Sequence, residues 1–142
     1  GQKRRVAIAS VIAMQPQVLI LDEPCAGLDP KGRERILALI KEYRETMGTT
    51  VIVVSHSMED MAEICSRVLV MDHGKTAMYG TVAEVYSQAG KLRSMGLNIP
   101  QITDIFLRLK AEGIDCRTDI FTVSDGAQEL RRLFGKKKGA VI

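Results

Sequence analysis

Asp22 and Glu23 stand side by side at the end of an uninterrupted apolar run, Val18-Leu19-Ile20-Leu21, and Pro24 follows at once. Two neighbouring carboxylates are costly to bury unless they hold a cation or handle a proton. A histidine, His56, closes a second largely apolar stretch, Thr49–Ser55. A short run of branched apolar residues suits a strand covered on both faces, as in a parallel sheet. Proline has no N–H to donate, so Pro24 ends the first run as a ladder strand. The carboxyl ends of such strands are where open α/β sheets bind ligands.

The elements around these residues decide whether they meet. Asp29 and Pro30 read as the N-cap and first residue of a helix. Ile36, Ile40, Tyr43 and Met47 form its buried stripe, and Gly48 stops it. Val18–Ser55 is therefore a strand–helix–strand unit whose two strands should run parallel through a right-handed crossover. Both carboxyl ends would then open onto one edge, bringing Asp22, Glu23 and His56 together.

Upstream, Lys3–Met14 reads as a helix, apolar all round from Val6 and so expected to be buried. Gln15-Pro16 ends it. Downstream, Ser57-x-x-Asp60 caps a short helix reaching about Ser66. Val68–Asp72 and Lys75–Tyr79 flank His73-Gly74 as a hairpin expected at the edge of the sheet. Thr81 to Glu84 is a capping box. The glycine-bearing stretch Ala89–Asn98 follows, giving a division into 1–90 and 91–142. Pro100–Glu112 and Thr122–Phe134 read as amphipathic helices closed by Gly113 and Gly135. Two such helices bury little alone and need the main domain or a partner.

At 142 residues the chain is about one domain's worth, and its 46% hydrophobic content suffices for a core. With 4% aromatics and no Trp, that core must be aliphatic. A net charge of +3 gives no reason to expect nucleic acid as a partner. Lys136-Lys137-Lys138 reads as a solvated tail, with attraction to acidic lipid as the sharper alternative. Cys25, Cys65 and Cys116 are odd in number and widely spaced, so they suggest neither a disulfide framework nor a zinc site. The sequence holds neither a membrane-length apolar run nor a signal peptide. It opens without Met, inside a motif, and reads as a fragment.

L-I-L-D-E-P followed by A-G-L-D resembles the Walker B motif and D-loop of ATP-binding cassette (ABC) ATPases. Gly1-Gln2 before Lys3-Arg4-Arg5 resembles the tail of their signature motif, and Ser55-His56 their switch histidine. The fold this implies is α/β: the C-terminal part of a P-loop NTPase core, with a parallel sheet and flanking helices. A small, mainly helical C-terminal extension follows. The segments G-L-N-I-P-Q-I-T and L-K-A-E-G-I-D resemble the extension of ATPases in energy-coupling factor importers of vitamins and of cobalt or nickel. There the extension helps two ATPases associate.

The resemblance implies ATP and Mg²⁺ as cofactors. Asp22 would hold Mg²⁺ through water, and Glu23 would polarise the attacking water. His56 would contact the γ-phosphate and tether the D-loop Gly27, Leu28 and Asp29 across a dimer. Gly1 and Gln2 would face the γ-phosphate bound by the opposite subunit. The implied partners are a second ATPase, identical or a paralogue, and transmembrane subunits, with the protein peripheral on the cytoplasmic face of the membrane. No Walker A pattern, G-x-x-x-x-G-K-[ST], occurs in the 142 residues, so the chain alone is expected to be inactive. Cys25 departs from the family's usual Thr or Ser, and a thiol is a weaker hydrogen-bond partner.

Plainer readings stand beside these. Asp22-Glu23 could be two solvated acids at a strand end, His56 a helix-entry residue, and Asp29 only a cap, although capping and a cross-dimer contact are compatible. Two other functions fit parts of the sequence. A DNA-maintenance ATPase would share the motifs, but its long coiled coil is not found here. A pure association module would act through Pro100–Phe134.

Overall fold

The computed structural model describes residues 2–135. Gly1 and Lys136-Lys137-Lys138 lie outside the described residues, and so does the side chain of Gln2. The chain divides into two compact units between Ile64 and Cys65, earlier than the boundary expected near residue 90.

The first unit contains α1 (Gln2–Ile12), β1 (Val18–Asp22), α2 (Pro30–Met47), β2 (Thr50–Val54) and α3 (Met58–Ile64). The strands pair in parallel, from Val18 opposite Thr50 to Asp22 opposite Val54. This is the pairing the strand–helix–strand pattern predicts. Leu19 and Leu21 of β1 and Ile36, Leu37, Ile40 and Tyr43 of α2 are buried. Gly48 caps α2 with a left-handed φ of 63°, its N–H bonded to the Arg44 carbonyl at 3.0 Å, a conformation glycine adopts without a Cβ penalty. Ser57 Oγ accepts from the Asp60 N–H at 3.2 Å, so the predicted cap of α3 forms.

Three expectations need correction in this unit. Burial along β1 alternates, with Ile20 65% exposed and its ladder partner Ile52 47% exposed. Successive side chains of a strand point to opposite faces, so one face of the pair is covered and the other is open. The α1 helix ends at Ile12, short of the expected Met14, and it buries Ile8 but leaves Val6 and Val11 exposed, as Met14 is in the turn beyond it. In both cases an apolar run shows that a surface is suited to burial, not that something covers it within these residues. The α2 stripe ends at Tyr43, because Met47 is exposed and Leu37 takes a buried place.

The second unit contains β3 (Arg67–Asp72), β4 (Lys75–Thr81), α4 (Val82–Tyr86), α5 (Ala89–Ser94), α6 (Gln101–Ala111) and α7 (Val123–Phe134). The β3–β4 hairpin turns at His73 and Gly74, both at positive φ (47° and 74°), as a two-residue primed turn requires. It forms a two-stranded sheet of its own among the described residues, not an edge of the β1–β2 pair. Its ladder is closed locally by the turn, so the hairpin needs no third strand to align it. Thr81 and Glu84 form the predicted capping box: Thr81 N–H donates to Glu84 Oε2 at 2.7 Å, and Glu84 N–H to Thr81 Oγ1 at 3.2 Å. The stretch expected as a glycine-bearing connection holds α5 instead, with Leu92 fully buried. One well-placed leucine outweighs the local glycine.

Phe106, Cys116 and Ile120 form the small core beneath α6 and α7, with Ile102, Leu109 and Leu133 packed on it. Gly126 lets the helices approach, since a Cβ there would lie 2.7 Å from Ile102. Glu129 is almost wholly enclosed. Its carboxylate accepts from Arg132 Nε at 2.8 Å, Arg132 Nη2 at 2.6 Å and the Arg117 N–H at 2.9 Å. The Arg132 fork and the Arg117 N–H hold it well below the ordinary value of 4.5, at about 2. The three cysteines are free thiols, Cys25 and Cys116 buried and Cys65 half-buried.

Candidate functional site

The parallel register places Asp22 opposite Val54, so the residues after each strand emerge at the same edge. The Glu23 N–H extends the ladder by one bond, to the Val54 carbonyl at 2.8 Å. Its backbone sits at φ 45°, in the left-handed region that non-glycine residues seldom occupy. Such conformations cost of order 1–3 kcal/mol and persist where the surroundings impose them. Here the ladder bond lies on one side and buried Pro24 and Cys25 on the other.

The carboxylate of Glu23 spans the two strand ends. Oε1 accepts from the His56 backbone N–H at 3.0 Å and lies 2.7 Å from His56 Nδ1. Oε2 accepts from Ser55 Oγ at 3.4 Å. Partial burial works to raise the Glu23 carboxyl, but the hydrogen bonds and charge of His56, helped by Ser55, outweigh it and hold the group below 4.5. At neutral pH Glu23 is therefore an ionised acceptor, and His56 Nδ1 is the donor. The His56 side chain is 84% exposed, so the imidazole is open to exchange partners.

Asp22 is an exposed residue at the carboxyl end of β1. Its chemistry fits Mg²⁺, which keeps several waters and is held by one or two carboxylates plus phosphates rather than by an all-protein cage. Among the described residues there is no group of three or more metal-ligating side chains. The loop after β1 turns through bonds from Ala26 N–H to the Glu23 carbonyl and from Leu28 N–H to the Cys25 carbonyl, both 3.2 Å. Gly27 takes the φ of 70° that this turn requires. Asp29 occupies the N-cap position of α2, but its side chain makes no cap hydrogen bond, contrary to expectation. Its Oδ1 lies instead where a Cβ on Gly32 would come within 2.6 Å. The missing side chain at position 32 lets the carboxylate settle there.

The structure thus joins Glu23 and His56 directly and sets Asp22 one residue away. Leu28 and Asp29 line a different cleft, with Arg5, Lys31, Gly32 and Arg35. Two participants were missed from sequence. Ser55 bonds to Glu23, and its Oγ also accepts from the Ser57 N–H at 3.1 Å. Arg33 pairs with nearly buried Asp60 and lies 3.4 Å from Ser57 Oγ, tying α2 to the start of α3. A hydroxyl immediately before a strand-end histidine was the available signal for Ser55. The Arg33–Asp60 pair, 27 residues apart, leaves no local one.

Comparison with known proteins bears on the fold and on what the chain resembles. Residues 1–61 match a family model described as "AAA domain, putative AbiEii toxin, Type IV TA system". The ATP-binding cassette MJ0796, in a dimeric post-hydrolysis state bound to ADP and Pi, superposes with a TM-score of 0.53. It is 32% identical and covers 57% of this chain and 34% of its own. The fold is that of an ABC-type P-loop ATPase, with a small parallel sheet and flanking helices.

Within that class the chain is like the ATP-binding subunits of energy-coupling factor transporters. It is 50% identical to EcfA2 of Clostridium tetani over 96% of this chain and 48% of the relative. It is 41% identical to EcfA1 of Clostridium perfringens over 94% of this chain and 47% of the relative. The chain spans about half the length of the curated relatives it matches.

Proposed function

We propose that this chain is the Walker B and switch-histidine portion of an ATP-hydrolysing subunit of an energy-coupling factor importer, for vitamins or for cobalt or nickel. The observation that carries the reading is the Glu23–His56 hydrogen bond across the ends of two parallel strands. ATP hydrolysis needs neutralised phosphate charge and a water aimed in line at the γ-phosphorus. Ionised Glu23 is the acceptor that orients such a water. His56 donates to Glu23 at rest and, being exposed, can turn its donor to a γ-phosphate oxygen, which releases the carboxylate for the water. Asp22 would hold Mg²⁺ through water, and the ion supplies charge neutralisation on the phosphates. Gly1, Gln2, Gly27, Leu28 and Asp29 belong to the same reading as contacts across an ATPase dimer. A membrane-embedded partner then converts the cycle of association and release into transport, with this subunit peripheral on the cytoplasmic side. No described helix is long and apolar enough to cross a membrane.

The 142 residues contain no glycine-rich lysine loop to cradle phosphates. Alone, therefore, they bind ATP weakly and do not turn it over. The test is a phosphate-release assay on the chain and on Glu23→Gln: equal, background rates are expected, and a rate lost in Glu23→Gln overturns the inactivity.

A second reading, association, is favoured by α7. Val123, Leu130 and Phe134 are exposed at i, i+7 and i+11, one apolar stripe along the helix. Light scattering of the chain and of Leu130→Ser/Phe134→Ser tests it. A dimer lost in the variant supports a role for α7 in pairing ATPases, and an unchanged mass removes it.

A further inference from the structure

The cleft at the start of α2 has a charge pattern that the hydrolytic reading does not use. It measures about 140 Å³ and is lined by Arg5 of α1, Leu28 and Asp29 of the loop after β1, and Lys31, Gly32 and Arg35 of α2. Arg33, Arg44, Arg93, Arg108, Arg117 and Arg132 are each ion-paired to a carboxylate. Neither Arg5, Lys31 nor Arg35 lies within 4.0 Å of a carboxylate oxygen among the described residues, although Asp29 lines the same cleft.

Three cations against one carboxylate leave a net charge of +2 facing a small concave space. Two guanidinium forks and an ammonium are the donor set that recognises a tetrahedral oxyanion, because the forks bind two oxygens each and the ammonium acts as a point charge. Half-buried Gly32, with no side chain of its own, leaves room at the cleft for the Asp29 carboxylate, whose Oδ1 lies where a Cβ on residue 32 would crowd it.

We propose that this cleft is a binding site for a phosphate-class dianion, either free inorganic phosphate or the terminal phosphoryl group of a nucleotide. The cleft forms entirely within residues 5–35 and contains neither Glu23 nor His56; its cations Arg5, Lys31 and Arg35 have no part in the proposed function, although its Leu28 and Asp29 do. Asp29 opposes the anion and sets its affinity: its carboxylate takes up part of the positive field, and its removal strengthens binding. All three cations are exposed, so binding is weak and sensitive to salt.

The test is a titration of the chain with inorganic phosphate, ADP and sodium chloride, at constant ionic strength for the first two, following the Gly32 backbone amide by NMR. Expected is a saturable displacement with phosphate or ADP. The double variant Arg5→Gln/Arg35→Gln should weaken it about tenfold or more, Lys31→Gln should weaken it less, and Asp29→Asn should tighten it. Saturation by phosphate marks the free ion as the ligand, whereas saturation by ADP alone marks a nucleotide's phosphoryl group. A linear response matching that of chloride, or saturation unchanged in both cation variants while their spectra remain those of the folded chain, overturns the proposal.

Discussion

Glu23 and Glu129 are the same side chain in two environments. Both are pulled below their ordinary value, and both accept from a neighbouring cationic or imidazole side chain and from a backbone N–H. Glu129 is enclosed on α7 beneath a bidentate arginine three residues on, so its side-chain donor is fixed by the helix that carries it. Glu23 is half-buried, and its principal donor comes from a different strand end and stands in solvent. The first arrangement holds a fold together. The second can exchange its donor without unfolding anything, as the role proposed for Glu23 in orienting a water requires.

The largest effect should come from breaking the exchangeable carboxylate. In the full-length subunit, Glu23→Gln should lower kcat by roughly 10²–10⁴-fold, measured by steady-state phosphate release with little change in thermal midpoint. Equal losses of stability and rate would make Glu23 a structural residue like Glu129.

Next in size is Glu129→Gln. Because the folded carboxyl is depressed to about 2, its contribution to stability is complete above 4.5 and is lost as pH falls from there through about 2. The variant should melt lower at neutral pH and lose that part of the acid-side slope, read by circular dichroism melts across the window. A slope identical to the parent's would show that the clamp does not bear on folding.

A smaller effect is expected from His56→Ala. Removing the main donor should let the Glu23 carboxyl rise toward its ordinary value, followed by carbonyl-carbon NMR, with the melting temperature nearly unchanged because the imidazole is exposed. Ser55→Ala should shift it in the same direction by less, since its bond is long at 3.4 Å and it is the last of the contributing causes. A larger shift from Ser55 than from His56 would reverse the assignment of the principal donor.

What could be read from sequence follows the range of each interaction. The strand–helix–strand unit, the His73-Gly74 hairpin and the Thr81–Glu84 box are specified by residues a few positions apart, and all three formed. The meeting of Glu23 with His56 was legible because parallel pairing is itself a local consequence of the crossover. The open face of β1–β2, the exposed flank of α1 and the buried Leu92 of α5 depend on what lies across from them, which hydrophobic spacing does not encode. The side chain of Asp29 is a finer case. Its type and place both suit a cap, yet the gap over Gly32 offers the carboxylate another seat.

The left-handed backbone at Glu23 bears on how this position can be varied. Asparagine and glycine would relax the main chain there, whereas valine, isoleucine and threonine would fight it. A library selected for loss of turnover at residue 23 would therefore sort its members by torsional comfort as well as by acidity, and the amide isostere is the replacement that separates the two.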